Sequence, residues 1–436
     1  ERSVPLLGEL DPRRLSNLLW AFGEVGASNP ELYDEVASTI DAMDDLEEFI
    51  PQNLPNILFA LYTMTGESHP RLFEKIGDRI AKLTDYGEFH PMTIANTMWT
   101  LAKAGVSHPA LFDKMADHLI QKKFSHFNHE ATSKAVWAYA RSGKPRPQLY
   151  RRAAIHILSL RDNKKFGAGN IADVLWAFAE AGAPARGVFK RFGEYVVAPD
   201  KSGAPLLRSF DPRELSIIAW AFANNGESRP ELFEKVAGHI VALDDLRSFE
   251  PRELSGTVWA FAWAGVLHPR LFEKVAGRIL ALDDLLSFGP EDLSDAVWAF
   301  AKAGQPQPEL FDKVSSHIVA LDSLSSFRPR DLSNLVWAFA KAGEPQPELF
   351  NKVADHILAL DDSHPFKRGD CSRIFWAYET AQIVHPRLLD RISSHAENAQ
   401  QVEHGEATDQ HEPCDKRDPK DSLRSWFMGL VRELDC

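Results

Sequence analysis

The sequence predicts an all-α protein: an α-solenoid of about ten helix-turn-helix repeats, each 38–44 residues long. Three observations predict it. One phrase recurs, as "LSGTVWAFAWAG" (254–265), "LSDAVWAFAKAG" (293–304) and "LSNLVWAFAKAG" (332–343). Its tryptophan returns at Trp20, Trp99, Trp137, Trp176, Trp220, Trp259, Trp298, Trp337 and Trp376, with Phe59 filling the one gap. Apolar residues inside each unit fall at helical spacing, between a leading proline and a closing glycine.

The ninth unit shows how each is built. Pro329 opens a helix where a missing N–H costs nothing, and Asp331 suits the positive helix N-terminus. Leu332, Leu335, Val336, Trp337 and Phe339 form the apolar face, and Gly343 stops the helix as a left-handed cap. Pro347 starts a second helix, whose stripe is Leu349, Phe350, Val353, Ile357 and Leu360. One such hairpin cannot bury its apolar face, whereas stacked hairpins share a continuous core in a superhelix of right-handed type. The units from Asp211 to about Pro365 are the most alike, which suggests late duplication within the chain.

The solenoid is expected over 11–397, after an N-terminal remnant at 1–10. Residues 398–422 are polar and acidic and predict a disordered linker. "LRSWFMGLVREL" predicts a short amphipathic helix within 423–436, as a cap or as the start of a further domain. Residue 1 is Glu, so the chain is expected to be part of a longer protein, with any targeting peptide upstream.

Composition narrows the function. The 436 residues carry a formal net charge of −13, which weighs against a whole-protein nucleic-acid magnet but leaves room for a local basic stripe. There is no apolar run near 18 residues, so no membrane span is predicted. Cys371, Cys414 and Cys436 are far apart and form no CxxC pair, which argues against disulfides and thiolate metal sites and for a reducing compartment. No phosphate-loop, nucleophile-elbow or HExxH motif occurs, so a binder is expected rather than an enzyme, with no cofactor. The recurring Asp-Asp pairs sit at repeat boundaries and are read as turn chemistry.

The candidate site lies where the repeats differ. Counted from the tryptophan, position −3 holds Asn17, Asn56, Asn96, Lys134, Asp173, Ile217, Gly256, Asp295, Asn334 and Arg373. Position +4 holds Glu24, Thr63, Lys103, Arg141, Glu180, Asn224, Trp263, Lys302, Lys341 and Thr380. Seven residues turn a helix by about 700°, so the two positions share one outward direction. Such pairs suit base-by-base reading of single-stranded RNA. Asn17, Asn56, Asn96, Asn224 and Asn334 would bond base edges. Lys103, Lys134, Arg141, Lys302, Lys341 and Arg373 would hold bases or phosphates, and Trp263 would stack on a base. The competing reading is an ordinary exposed face, and Asp173 with Glu180 makes one unit locally acidic. The acids at −6 (Glu214, Glu253, Asp292, Asp331 and Asp370) are read as helix capping. A row at +19 holds His118, His156, His239, His317, His356 and His395, with Arg278 there and Arg79 at the same place in its own repeat, one residue further on. Repeats about 10 Å apart cannot converge such a row on zinc, so bonds to neighbouring loops are expected.

The L-S-N-L-V-W-A-F-A-K-A-G pattern at 332–343, followed by P-E-L-F at 347–350, resembles the octotricopeptide-type repeat. It is similar also to the FAST-kinase-like and RAP-domain proteins, over about 10–397, although no RAP domain is visible. The resemblance implies binding of organellar transcripts in a mitochondrion or chloroplast, in RNA processing, stability or translation, with other RNA-processing proteins as partners. The rival is a scaffold of armadillo or HEAT type that grips an extended, basic peptide.

Overall fold

A computed structural model describes residues 11–12, 14–16, 18–19, 30–67, 69–144, 146–199, 206–226, 229–360 and 366–394. The described residues include eighteen α-helices. Second helices of the repeats are α1 (Pro30–Asp41), α3 (Pro70–Ala81), α5 (Pro109–Lys122), α7 (Pro147–Ser159), α9 (Arg186–Val197), α11 (Pro230–Ala242), α13 (Pro269–Leu280), α15 (Pro308–Ala320) and α17 (Pro347–Ala359). First helices are α2 (Asn53–Thr65), α4 (Pro91–Lys103), α6 (His129–Arg141), α8 (Gly167–Glu180), α10 (Pro212–Asn224), α12 (Pro251–Trp263), α14 (Pro290–Lys302), α16 (Pro329–Ala342) and α18 (Arg368–Ala381). The chain forms two compact units, one ending at Glu214 and the other beginning at Leu215. Within each, first helices pack side by side in one layer and second helices in another, as an α-solenoid requires. The expected linker and C-terminal helix lie outside the described residues, as does Asn17.

Local chemistry fixes the helix ends. The carboxylate of Glu253 accepts from the Glu250 N–H at 2.9 Å. Asp292, Asp331 and Asp370 do the same for Gly289, Arg328 and Lys367, at 3.0, 3.0 and 3.2 Å. Part of the acidic charge is therefore spent on helix starts. At the other end Gly343 has φ +76°, where a side chain would be strained, and its N–H bonds Ala340 O at 3.2 Å. The last repeat makes the same turn with Gln382 at φ +55°.

Packing between repeats is aromatic. Phe233 meets Phe261, Phe311 meets Phe339 and Phe350 meets Tyr378, each at 5.0 Å between ring centroids, and Phe272 meets Phe300 at 5.2 Å. Each pair joins a second helix to the first helix of the next repeat, edge towards face, as ring quadrupoles prefer. A polar link accompanies it. Lys274 donates to Val241 O (2.8 Å), Lys313 to Leu280 O (3.1 Å) and Lys352 to Val319 O (2.7 Å). In the first unit Lys75 reaches Asp41 O (3.0 Å) and Arg191 reaches Ile157 O (2.6 Å). Each lysine supplies donors to a carbonyl that the end of the preceding second helix leaves unbonded, and Arg191 adds a second donor to Ile157 O, which Leu160 N–H already bonds.

The +19 row makes loop bonds of the kind expected. Arg79 donates to Leu46 O (3.4 Å), Arg278 to Leu246 O (3.2 Å) and His156 Nε2 to Phe127 O (2.9 Å). Burial lowers the pKa of His118, His156, His317 and His356. His395 is outside the described residues.

Candidate nucleic-acid interface

Four positions share one side of the first helices: −7, −3, the tryptophan itself and +4. They fall within about 60° of one another at 100° per residue. The tryptophans lie beneath these side chains, with Trp137, Trp259, Trp298 and Trp337 buried at 7–8% exposure, and they stack from repeat to repeat within each unit. In the second unit Trp259–Trp298, Trp298–Trp337 and Trp337–Trp376 are each 6.1 Å apart, with ring planes tilted by 31–35°. In the first unit Phe59–Trp99 are 6.2 Å apart and Trp137–Trp176 5.8 Å.

The −3 and +4 side chains occupy different depths. At +4, Lys103, Arg141, Asn224 and Lys341 are exposed and Lys302 is half-buried. Lys103 Nζ lies 4.7 Å from the Trp137 ring and 5.7 Å from Trp99, so it bridges two rungs by cation–π attraction. Desolvation lowers its pKa, with Arg213 and Arg141 acting in the same direction and Asp173 opposing them. Trp263 lies flat on Trp259, 5.2 Å away at 9°, and stays 53% exposed. It also leans on Trp298 at 6.1 Å.

At −3 the outward placement expected from one helix alone is corrected. Asn56 is exposed, but Asn96, Lys134 and Arg373 are half-buried in the seam between neighbouring first helices. Asn334 is buried at 4% exposure and is not available to a ligand. The first helices pack side by side, which closes this seam. Lys134 donates to Asn96 Oδ1 at 3.0 Å, pairs with Glu130 at 2.8 Å and sits over the Phe59 and Trp99 rings. Arg373 bonds Asp370 at 3.0 Å and Ser333 at 3.3 Å. Asp173 is paired with Arg213 at 3.6 Å, which offsets the local acidity, although burial raises its pKa. Burial likewise pushes the Asp295 carboxyl up to about 7, with Glu291 and Asp331 adding and Arg330 and Arg328 opposing.

The −7 row supplies arginines that the pattern of variable letters did not single out: Arg213, Arg252 and Arg330. They stand four residues before −3, one helical turn along the same face. Their adjacent −6 acids explain the helix starts so fully that the arginines draw no notice. Among the described residues the −7, −3 and +4 rows hold nine basic and five acidic side chains, against −13 for the chain. This face combines an exposed indole, Trp263, with a local positive excess, the two kinds of group that single-stranded nucleic acid uses.

The family model described as RNA-editing substrate-binding complex 6 protein matches residues 47–302 and 161–404, which together span most of the chain. The chain belongs to this family. Membership makes it a helical-repeat protein of an RNA-editing family; the octotricopeptide and FAST-kinase-like assignment is not confirmed by the match. No curated protein matches the chain. Among solved structures it is similar to a chain of the "Homology model of the full-length AP-3 complex in an intermediate open conformation", at 13% identity. That alignment covers 91% of this chain and 69% of the other at a TM-score of 0.27, too low to carry any argument. No helix among the described residues is long and apolar enough to cross a membrane.

Proposed function

We propose that the first-helix face binds single-stranded RNA as part of an RNA-editing substrate-binding complex. The observation that carries the reading is the pair of exposed +4 groups, Lys103 and Trp263, that lie over the indole ladder. Lys103, Arg141, Lys302 and Lys341 meet phosphates or bases, the −7 arginines extend the positive row, and Trp263 stacks on a base. Asn56 and Asn224 are the amides placed to meet base edges. The half-buried −3 residues, Asn96, Lys134 and Arg373, position the face. The chain acts as a binder without catalysis or cofactor, alongside other proteins of the complex. The mitochondrion is the compartment this reading favours, because the family description concerns RNA editing.

The test is a salt titration of affinity for a fluorescent single-stranded RNA of randomised sequence. Each phosphate contact contributes about −0.7 to the slope of log K against log salt. Replacing Lys103, Arg141, Lys302 and Lys341 together by Ala should therefore flatten that slope by about 3. An unchanged slope, or an affinity insensitive to salt in the parent protein, overturns the proposal.

A further inference from the structure

The opposite face, made by the second helices, carries a repeated polar link whose three members all change at one junction. The fifth residue of the second helix is acidic in most repeats: Asp34, Glu74, Asp113, Glu234, Glu273 and Asp312. The ninth is small or acidic, as in Asp78, Asp117, Gly238, Gly277, Ser316 and Asp355. These acids reach the residue that caps the next second helix. His69 lies 3.7 Å from Asp34, His108 3.2 Å from Asp78, His268 4.0 Å from Glu234 and His385 3.9 Å from Asp355. Gln346 donates to Asp312 at 2.8 Å, and Arg146 bonds Asp117. The polar rungs thus tie the second-helix face together within each unit.

Between α7 and α9 all three members change. The fifth residue is Arg151, the ninth is Ile155, and the capping position holds a buried Ala185. The fifth residue of α9 is Lys190, again reversed in sign. Ile155 is 56% exposed and Leu158, one turn on, is 45% exposed. Leu158 sits directly against Gly187, where an added Cβ would meet its Cδ1 at 3.1 Å. Gly187 in turn opens a groove of about 470 Å³ lined by Asn163, Lys190, Arg191, Glu194 and Tyr195. The turn after α7 adds exposed Arg161, Lys164 and Lys165, against the nearby acids Asp162 and Glu194. Exposed aliphatic side chains beside a groove, with a basic rim, depart from the pattern the same chain keeps elsewhere.

We propose that this patch docks an acidic amphipathic helix of a protein partner. Ile155 and Leu158 accept apolar side chains spaced one turn apart, and Arg151 and Lys190 pair with the acids that flank them. The patch offers no exposed indole for a base to stack on, so protein fits it better than RNA. The inference does not depend on RNA binding by the first-helix face.

A synthetic helical peptide of about 14 residues tests it, with leucines one turn apart and glutamates elsewhere. The control is the same composition scrambled to remove the stripe. Binding to the full chain is measured by fluorescence anisotropy. Arg151→Asp with Ile155→Ser installs the pair that α15 carries as Asp312 and Ser316, so the fold is kept. Lys190→Glu is the second variant, matching Glu234. The expected result is tighter binding of the striped peptide than of the scrambled one, weakened about tenfold in either variant. RNA affinity and Tm should stay unchanged. Equal binding of the scrambled peptide, or undiminished binding by both variants, overturns the proposal. So does an RNA affinity that falls in the variants, which would make the patch an RNA surface.

Discussion

The repeats of the second unit are near copies, and those of the first have diverged; their interfaces differ accordingly. In the second unit the aromatic pairs between repeats hold to 5.0–5.2 Å and the successive tryptophans to 6.1 Å. In the first unit Phe112–Tyr139 are 6.4 Å apart and tilted, and Tyr150–Phe178 are 5.5 Å apart. The ladder shows the same contrast at one position: +4 is Lys103 in the first unit and Trp263 in the second, and each lies over two rungs. A repeat interface tolerates drift in its aromatic geometry while its exposed rung is free to change chemistry, from cation to ring. The lesson is that sequence regularity measures how uniform the packing is, and the +4 row is where two units with one fold are made chemically different.

The largest expected effect tests the packing half of that contrast. Phe311→Ala should lower stability by about 3–5 kcal/mol in chemical denaturation. Phe112→Ala should cost about 1 kcal/mol less, because its ring partner is more distant. Equal costs would show that edge-to-face geometry adds nothing to burial. Next comes the exposed rung. Trp263→Ala should weaken RNA binding by about 1–3 kcal/mol, read by anisotropy, and shift Tm little because the ring is half exposed. Lys103→Ala should weaken it less and, unlike Trp263→Ala, should reduce the salt slope by about 0.7.

A smaller effect concerns acidity inside the seam. Asp295 has a folded-state pKa of about 7, above its usual carboxylate value of 3.8, so the fold favours the protonated form. Stability should therefore fall as pH rises from about 4 to 7, where ionisation is increasingly forced on the buried group. Asp295→Asn should gain about 1–2 kcal/mol at pH 8 and lose that advantage below pH 4, measured by denaturation across pH. A gain independent of pH would place its origin elsewhere. The smallest effect is at the helix stops. Gln382→Gly should stabilise by about 0.5–1 kcal/mol, and Gly343→Ala should destabilise by about as much, since both positions are left-handed.

The fold was legible because repetition states it ten times over. Pro329, Asp331 and Gly343 mark a helix start and stop by local chemistry alone, and the structure has them in those roles. The face was legible only in outline. Helical periodicity within one helix aims −3 and +4 the same way, but Asn334 is buried on a helix that packs between first helices about 39 residues away in the chain, which periodicity cannot see. The tryptophans were expected as core, and Trp137, Trp259, Trp298 and Trp337 are buried; what one helix could not show is that their contacts run from repeat to repeat. The −7 arginines went unnoticed beside acids whose role was already clear. The reversed signs at Arg151 and Lys190 were present in the sequence throughout, visible once the second helices are aligned at their first residue.

The cations that reach back to the preceding helix have a temporal consequence. Lys313 completes the end of α13, and Lys352 completes that of α15; the donor always comes from the later repeat. As the chain leaves the ribosome, each hairpin therefore waits with open carbonyls until roughly one more repeat has emerged. Shortening the array from either side exposes an apolar face, but only a cut on the C-terminal side also uncovers a helix end, while a cut on the other side leaves a lysine without its acceptor. The two ends of a stack are therefore chemically unequal, one with open carbonyls and the other with an unused cation.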